Sequence, residues 1–100
     1  MYTAIFIIVD KGRADEVVAS AIKAGAQSAT ILNGRGSGLH EKKLLLALPI
    51  EPEKEIILII NKNDLINAIV EQIRLDIKID EPAMGILFTI PVSDTLGIAK

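Results

Sequence analysis

The chain has 100 residues, 11 basic and 13 acidic, for a formal net charge of −2. That length fits one domain with one core, and that charge argues against the positive footprint that nucleic acid or an anionic membrane requires. Half of the residues are apolar but only 3% are aromatic, so the core must come from Ile, Leu, Val and Ala, and the absence of cysteine excludes disulfides, thiol catalysis and cysteine metal sites.

Residues 4 to 9, AIFIIV, are apolar throughout and stop at Asp10-Lys11-Gly12, which reads as a strand followed by a turn. This run is too short for a signal peptide or a membrane span, so a soluble cytoplasmic protein is expected. Ala14, Val17, Val18, Ala21, Ile22 and Gly25 then recur at helical spacing. Asp15 and Glu16 in the first turn and Lys23 near the end complement the helix dipole, and Gly25 supplies the stop. Residues 28 to 33, SATILN, predict a second strand, and 55 to 60, EIILII, a third. A second helix is expected from Asn63 as N-cap to about Leu75, with Ile66, Ile69, Val70 and Ile73 on one face. The last strand is 86 to 92, ILFTIPV, where Pro91 has no N–H to donate and so belongs at an edge or near the strand end.

The order is β-α-β-β-α-β, and IFIIVDK and ILIINKN each introduce a helix, so the chain reads as two similar βαβ halves. This predicts an α+β fold, a ferredoxin-like βαββαβ sandwich in which a four-stranded antiparallel sheet carries two helices on one face. Two helices cover only one face, yet three of the four strands are apolar at consecutive rather than alternate positions. The second face is therefore expected to be buried against other copies in a closed symmetric oligomer, the competing reading being scattered apolar exposure on a monomer.

Between strands two and three lie about twenty residues, 35 to 54, where a hairpin connection needs about two to five. Within this segment GRGSG is flexible, LHEKKLLLALPI is amphipathic and is expected to form a helical turn or two, and EPEKE returns to the sheet. Arg35, Lys42, Lys43 and Lys54 balance Glu41, Glu51, Glu53 and Glu55, as in a solvated, partner-seeking loop. The alternating glycines Gly34, Gly36 and Gly38 follow a strand directly. They read either as a hinge or as an anion cradle, since backbone N–H groups without a Cβ can approach an anion and positive φ is available. Arg35 adds a planar donor for a phosphate or carboxylate. His40 has no metal-ligand spacing around it, Ser37 has no base in predictable reach, and Asp76, Asp80 and Glu81 read as a solvated acidic turn.

Three stretches, KAGAQSATILNGRGSG, PIEPEKEIILII and EPAMGILFTIPVSDTLGI, resemble the second strand with the root of the long T-loop, the T-loop return, and the B-loop with the final strand of the PII signal-transduction family. The resemblance runs over nearly the whole chain, as one PII-like domain over 1–100 with a T-loop-like segment at about 35–54. It implies a ferredoxin-like homotrimer that binds an adenine nucleotide (ATP, ADP or AMP) in clefts between subunits. Such a protein is a regulator rather than an enzyme and acts on a transporter or enzyme target through its loop, here 37–52, with no nucleic acid and no direct membrane insertion. By that resemblance Thr30 looks like the nucleotide-contacting threonine, Gly34 and Gly36 like the T-loop root glycines, and Gly85 like a B-loop glycine. The ligand is expected between Gly34, Arg35, Gly36, Ser37 and Gly38 of one subunit and the Gly85 turn of its neighbour.

The chain departs from the family pattern in two places. Pro82, Ala83, Met84 and Ile86 surround Gly85 where the family carries further glycines and a lysine, and the tail TLGIAK keeps Lys100 in place of arginines. A triphosphate therefore has fewer cationic partners, and backbone amides with Arg35 suit a less charged nucleotide or another anion. Tyr2, the single tyrosine, lies outside the loop, which excludes the T-loop tyrosine modification of the better-known members. Two other functions remain open: a nucleotide-independent protein-interaction module working through LHEKKLLLALPI, and a metal-binding or enzymatic ferredoxin-like trimer.

Overall fold

The computed structural model describes residues 1–36, 43–45, 48–50 and 52–98. Strand β1 (Tyr2–Asp10) leads into helix α1 (Ala14–Lys23), strand β2 (Thr30–Arg35), two short strands β3 (Lys43–Leu45) and β4 (Leu48–Ile50), strand β5 (Glu53–Lys62), helix α2 (Asn63–Ile77) and strand β6 (Ile86–Val92). Four strands form one antiparallel sheet in the order β2-β5-β1-β6, while β3 and β4 pair with each other in a separate two-stranded sheet. This is the ferredoxin-like βαββαβ sandwich, with a hairpin inserted between its second and third sheet strands.

Side-chain alternation decides the layers. On one face Ile5, Ile7 and Val9 of β1 and Ile57 and Ile59 of β5 point at the helices, and all five are essentially inaccessible to water. Val17 and Ala21 of α1 and Ile66, Ile69, Ile73 and Ile77 of α2 close over them. The helical spacing of those residues and the two-residue spacing of the strands thus converge on one aliphatic core. On the other face Phe6 pairs with Leu58 and Phe88, and Ile8 with Ile56 and Ile86. Leu32, Ile86, Phe88 and Ile90 remain exposed there. The consecutive apolar residues of the strands therefore fill two faces, of which the helices cover one.

Three local readings change. Asn63 is the first residue of α2 rather than its cap, because β5 runs on to Lys62, which is extended (φ −61°, ψ 148°) and takes the boundary position. The Asn63 amide oxygen instead accepts a 2.6 Å hydrogen bond from the Thr3 hydroxyl. The amphipathic stretch 39–50, expected to turn helically, is strand at 43–45 and 48–50, and its other positions lie outside the described residues. Arg35 belongs to β2, and Glu53 and Lys54 to β5, rather than to a solvated loop. Pro91 stands as expected on an edge strand, opposite Thr3, since β6 pairs only with β1. Among the described residues no helix is long and apolar enough to cross a membrane.

Candidate functional site

Strand β2 lies at the sheet edge, and its register with β5 sets Gly34 opposite Lys54 and Arg35 opposite Glu53. The Gly36 N–H donates to the Pro52 carbonyl at 3.2 Å, extending this ladder by one step. Amides of an antiparallel strand alternate between partner and free side, so the Arg35 N–H turns outward while that of Gly36 is already used. Neither Gly34 nor Gly36 has positive φ. What Gly34 provides is closeness: a Cβ there would stand 3.2 Å from the Ile56 side-chain tip, whereas one at Gly36 would meet nothing within 4 Å.

A cavity of about 350 Å³ opens at this end of the sheet, lined by Lys11, Asn33, Gly34, Arg35, Glu53 and Lys54. Register puts Arg35 and Glu53, with Lys11 paired to Glu53, on the helix side of this edge, and Lys54 with Asp10 on the other side. The Lys11 ammonium lies 2.9 Å from Glu53, and the Lys54 ammonium 2.7 Å from Asp10. The Glu53 carboxyl is held below its ordinary range by its hydrogen bond from Lys11, then by the charges of Lys11 and Arg35. The same hydrogen bond pushes the Lys11 ammonium up. One further acid is structural: Glu55 Oε1 accepts from the Gly12 N–H at 2.8 Å and the Ala14 N–H at 3.0 Å, and so caps α1 from across the sheet.

The Gly85 turn sits beside the end of β1. Gly85 has φ +140°, and a Cβ there would come within 2.6 Å of the Ile8 carbonyl oxygen and 2.9 Å of Ile79. The fold itself therefore requires this glycine. Arg13, the residue before α1, braces the turn: its guanidinium donates to the carbonyls of Met84 at 3.2 Å and Ile77 at 3.4 Å, and pairs with Glu16 at 2.7 Å. Thr30 is exposed on the uncovered face opposite Leu58 and lines a second cavity of about 340 Å³ with Gly97 and Ile98.

Of the candidate residues, Gly34 and Arg35 thus line one cavity, Gly36 is the next residue in the chain, and Thr30 lines another cavity. Gly85 belongs beside β1 and β6, whereas Gly34 is on the opposite edge, three strand spacings or about 14 Å away. Ser37, Gly38 and His40 lie outside the described residues. Lys11, Asn33, Glu53 and Lys54 were not among the sequence candidates. Their signal was the complementarity of Asp10-Lys11 and Glu53-Lys54-Glu55, which antiparallel pairing of two apolar strands brings face to face.

Among the described residues no group of three or more His, Cys, Asp or Glu side chains could hold a metal ion. The model of the nitrogen regulatory protein P-II family matches residues 2–100. No curated protein matches the sequence significantly. Solved structures do match the fold. The Bacillus subtilis GlnK–ATP complex has a TM-score of 0.73 at 19% identity over 95% of this chain and 84% of that one. B. subtilis GlnK gives 0.70 at 21% over 95% and 88%. Arabidopsis thaliana PII bound to citrate gives 0.70 at 22% over 97% and 80%. With the family model covering all but the first residue, and the βαββαβ sheet order to match, the chain belongs to the nitrogen regulatory protein P-II family.

Proposed function

We propose that the protein is a trimeric sensor of a small anionic ligand, an adenine nucleotide (ATP, ADP or AMP), bound in clefts between subunits. The observation that carries this reading is the cavity lined by Lys11, Gly34, Arg35, Glu53 and Lys54, at the root of the segment between β2 and β5. Lys11 and Arg35, on one side of this cavity of about 350 Å³, suit a phosphate or carboxylate group. A neighbouring subunit is needed because Leu32, Ile86, Phe88 and Ile90 leave one sheet face uncovered, and because the Gly85 turn lies on the far edge from Gly34 within a single chain. The ATP complex of B. subtilis GlnK and the citrate complex of A. thaliana PII, both on this fold, lend support to an anion in such a cleft. Segment 37–52 carries the bound state to a transporter or enzyme target, since a ligand shifts a loop only by contacting one of its states better than the other.

Isothermal titration with ATP, ADP, AMP, cyclic nucleotides and citrate tests this directly. Saturable heat with at least one nucleotide is expected, and silence with all of them, in calorimetry and in thermal shift, removes the nucleotide assignment. Gly36→Val is the informative variant. A Cβ at Gly36 meets nothing within 4 Å, so the fold tolerates it, while a branched side chain at the loop root obstructs the ligand. Loss of binding with an unchanged melting temperature is the expected result.

A second reading, a nucleotide-independent interaction module, draws on the pairing of Lys11 and Lys54 with carboxylates in the free protein. Partner capture that ignores nucleotide but requires residues 39–50 would favour it.

A further inference from the structure

Resting on that assignment of the cleft, we propose that the Glu53 carboxylate is an internal counter-ion of the ligand site, which an anionic ligand displaces from Lys11 and Arg35 in order to bind. Of Asp10, Glu53 and Glu55, the carboxylates among the described residues at this end of the sheet, Glu53 is the one built to exchange. Glu55 is fixed by two backbone N–H groups at the start of α1. Asp10 is engaged at 2.7 Å with Lys54, whose side chain is only 11% exposed. Glu53 and Lys11, by contrast, meet at 2.9 Å with side chains 55% and 64% exposed, a pairing that water and mobile ions contest.

The backbone beneath them stays put during such an exchange. The Lys11 N–H donates to the Glu53 carbonyl at 3.1 Å, and Arg35 is fixed opposite Glu53 by strand register. Only the Glu53 side chain has to rotate outward. A ligand phosphate or carboxylate then takes the place of the carboxylate beside Lys11, with Arg35 lining the same cavity from the neighbouring strand. Lys54 remains with Asp10.

Charge arithmetic turns this into selectivity. A ligand gains Lys11 and Arg35 but must leave Glu53 nearby and unpaired, and the repulsion from that displaced charge rises with the charge of the ligand. Glu53 therefore penalises a triphosphate more than a monophosphate and sets the site toward the less charged members of a nucleotide series.

Titrating wild type and Glu53→Gln with ATP, ADP and AMP tests the proposal. Glutamine keeps the size and a hydrogen-bond acceptor for Lys11 but removes the competing charge. The variant should bind each ligand several-fold more tightly, with the largest gain for ATP and the smallest for AMP. Lys11→Gln, which removes the cation and leaves Glu53 in place, should weaken all three. Wild-type binding that Glu53→Gln leaves unchanged, weakens, or strengthens equally for all three ligands overturns the counter-ion role while leaving the nucleotide cleft standing. Absence of binding by both proteins, each with a cooperative melt, overturns the cleft assignment and this proposal with it.

Discussion

Lys78 ends α2 in the left-handed conformation (φ 59°, ψ 46°), and Ala83 repeats it at φ 64°, so two residues with a Cβ occupy a region that favours glycine. Gly85 follows at once, and there the demand is steric as well as conformational. A ligand-contact glycine and a packing glycine look identical in a sequence. Gly85 was singled out by its resemblance to a B-loop glycine, yet its missing Cβ is occupied by Ile8 and Ile79, which makes Gly36 the cleaner probe of binding. At the same scale, the Lys11–Glu53 pair predicts a pH signature. The Glu53 carboxyl is held below its ordinary 4.5, so its contribution is present above that value and is lost as pH falls through the lower folded value. Lys11 is raised above 10.5, so its contribution is complete below that value and is lost as pH rises through the folded one. The melting-temperature difference between wild type and Glu53→Gln should therefore be widest around neutrality and should close at both extremes. A difference that persists into strong acid would assign the effect to something other than this ion pair.

At the scale of elements, the boundary that matters is where β5 begins. Its first two residues carry charges that a composition-based reading gives to the loop, and the structure turns these and Glu55 toward the end of β1 or the start of α1. The apolar periodicities were legible: both helices, all four sheet strands and the Pro91 edge follow from spacing and turn residues. The cross-sheet polar contacts were not, because pairing partners such as Asp10 and Lys54 are 44 residues apart and become neighbours only once the register is known. The same reason hid the cap of α1, for which the sequence offers no Ser, Thr, Asp or Asn at Arg13 and the structure supplies Glu55. Glu55→Ala should cost about 1–2 kcal/mol by leaving two helix-start N–H groups without their acceptor. Glu55→Gln should cost less, since an amide oxygen still accepts. Urea unfolding of the two variants separates them, and equal stability with wild type would show that water caps the helix as well as the carboxylate does.

For the whole molecule, the uncovered sheet face is the surface on which the proposed trimer depends. Phe6 and Phe88 stack there with centroids 5.1 Å apart and planes within 7°, and Ile86 and Ile90 flank them on the outer strand. Phe88→Asp should leave the helix-side core intact and convert the proposed trimer to a folded monomer in sedimentation, with loss of ligand binding if the cleft needs two subunits. An undisturbed trimer would move the interface elsewhere. That the strands were apolar on both faces was readable from the consecutive residues of AIFIIV and EIILII, but which face the helices would cover was not, since alternation carries no signal when every position is apolar. The strand order β2-β5-β1-β6 has a consequence for biosynthesis as well. The two central strands, β1 and β5, come from opposite halves of the chain, so the first hydrophobic strand leaves the ribosome without either of its sheet neighbours. At about 5–20 residues per second, roughly 3–10 s pass before β5 emerges to pair with it. During that interval the apolar run of residues 4–9 has no sheet partner to pair with. Chaperones that hold extended apolar segments are therefore expected to bind the nascent chain before β5 emerges and to release it afterwards.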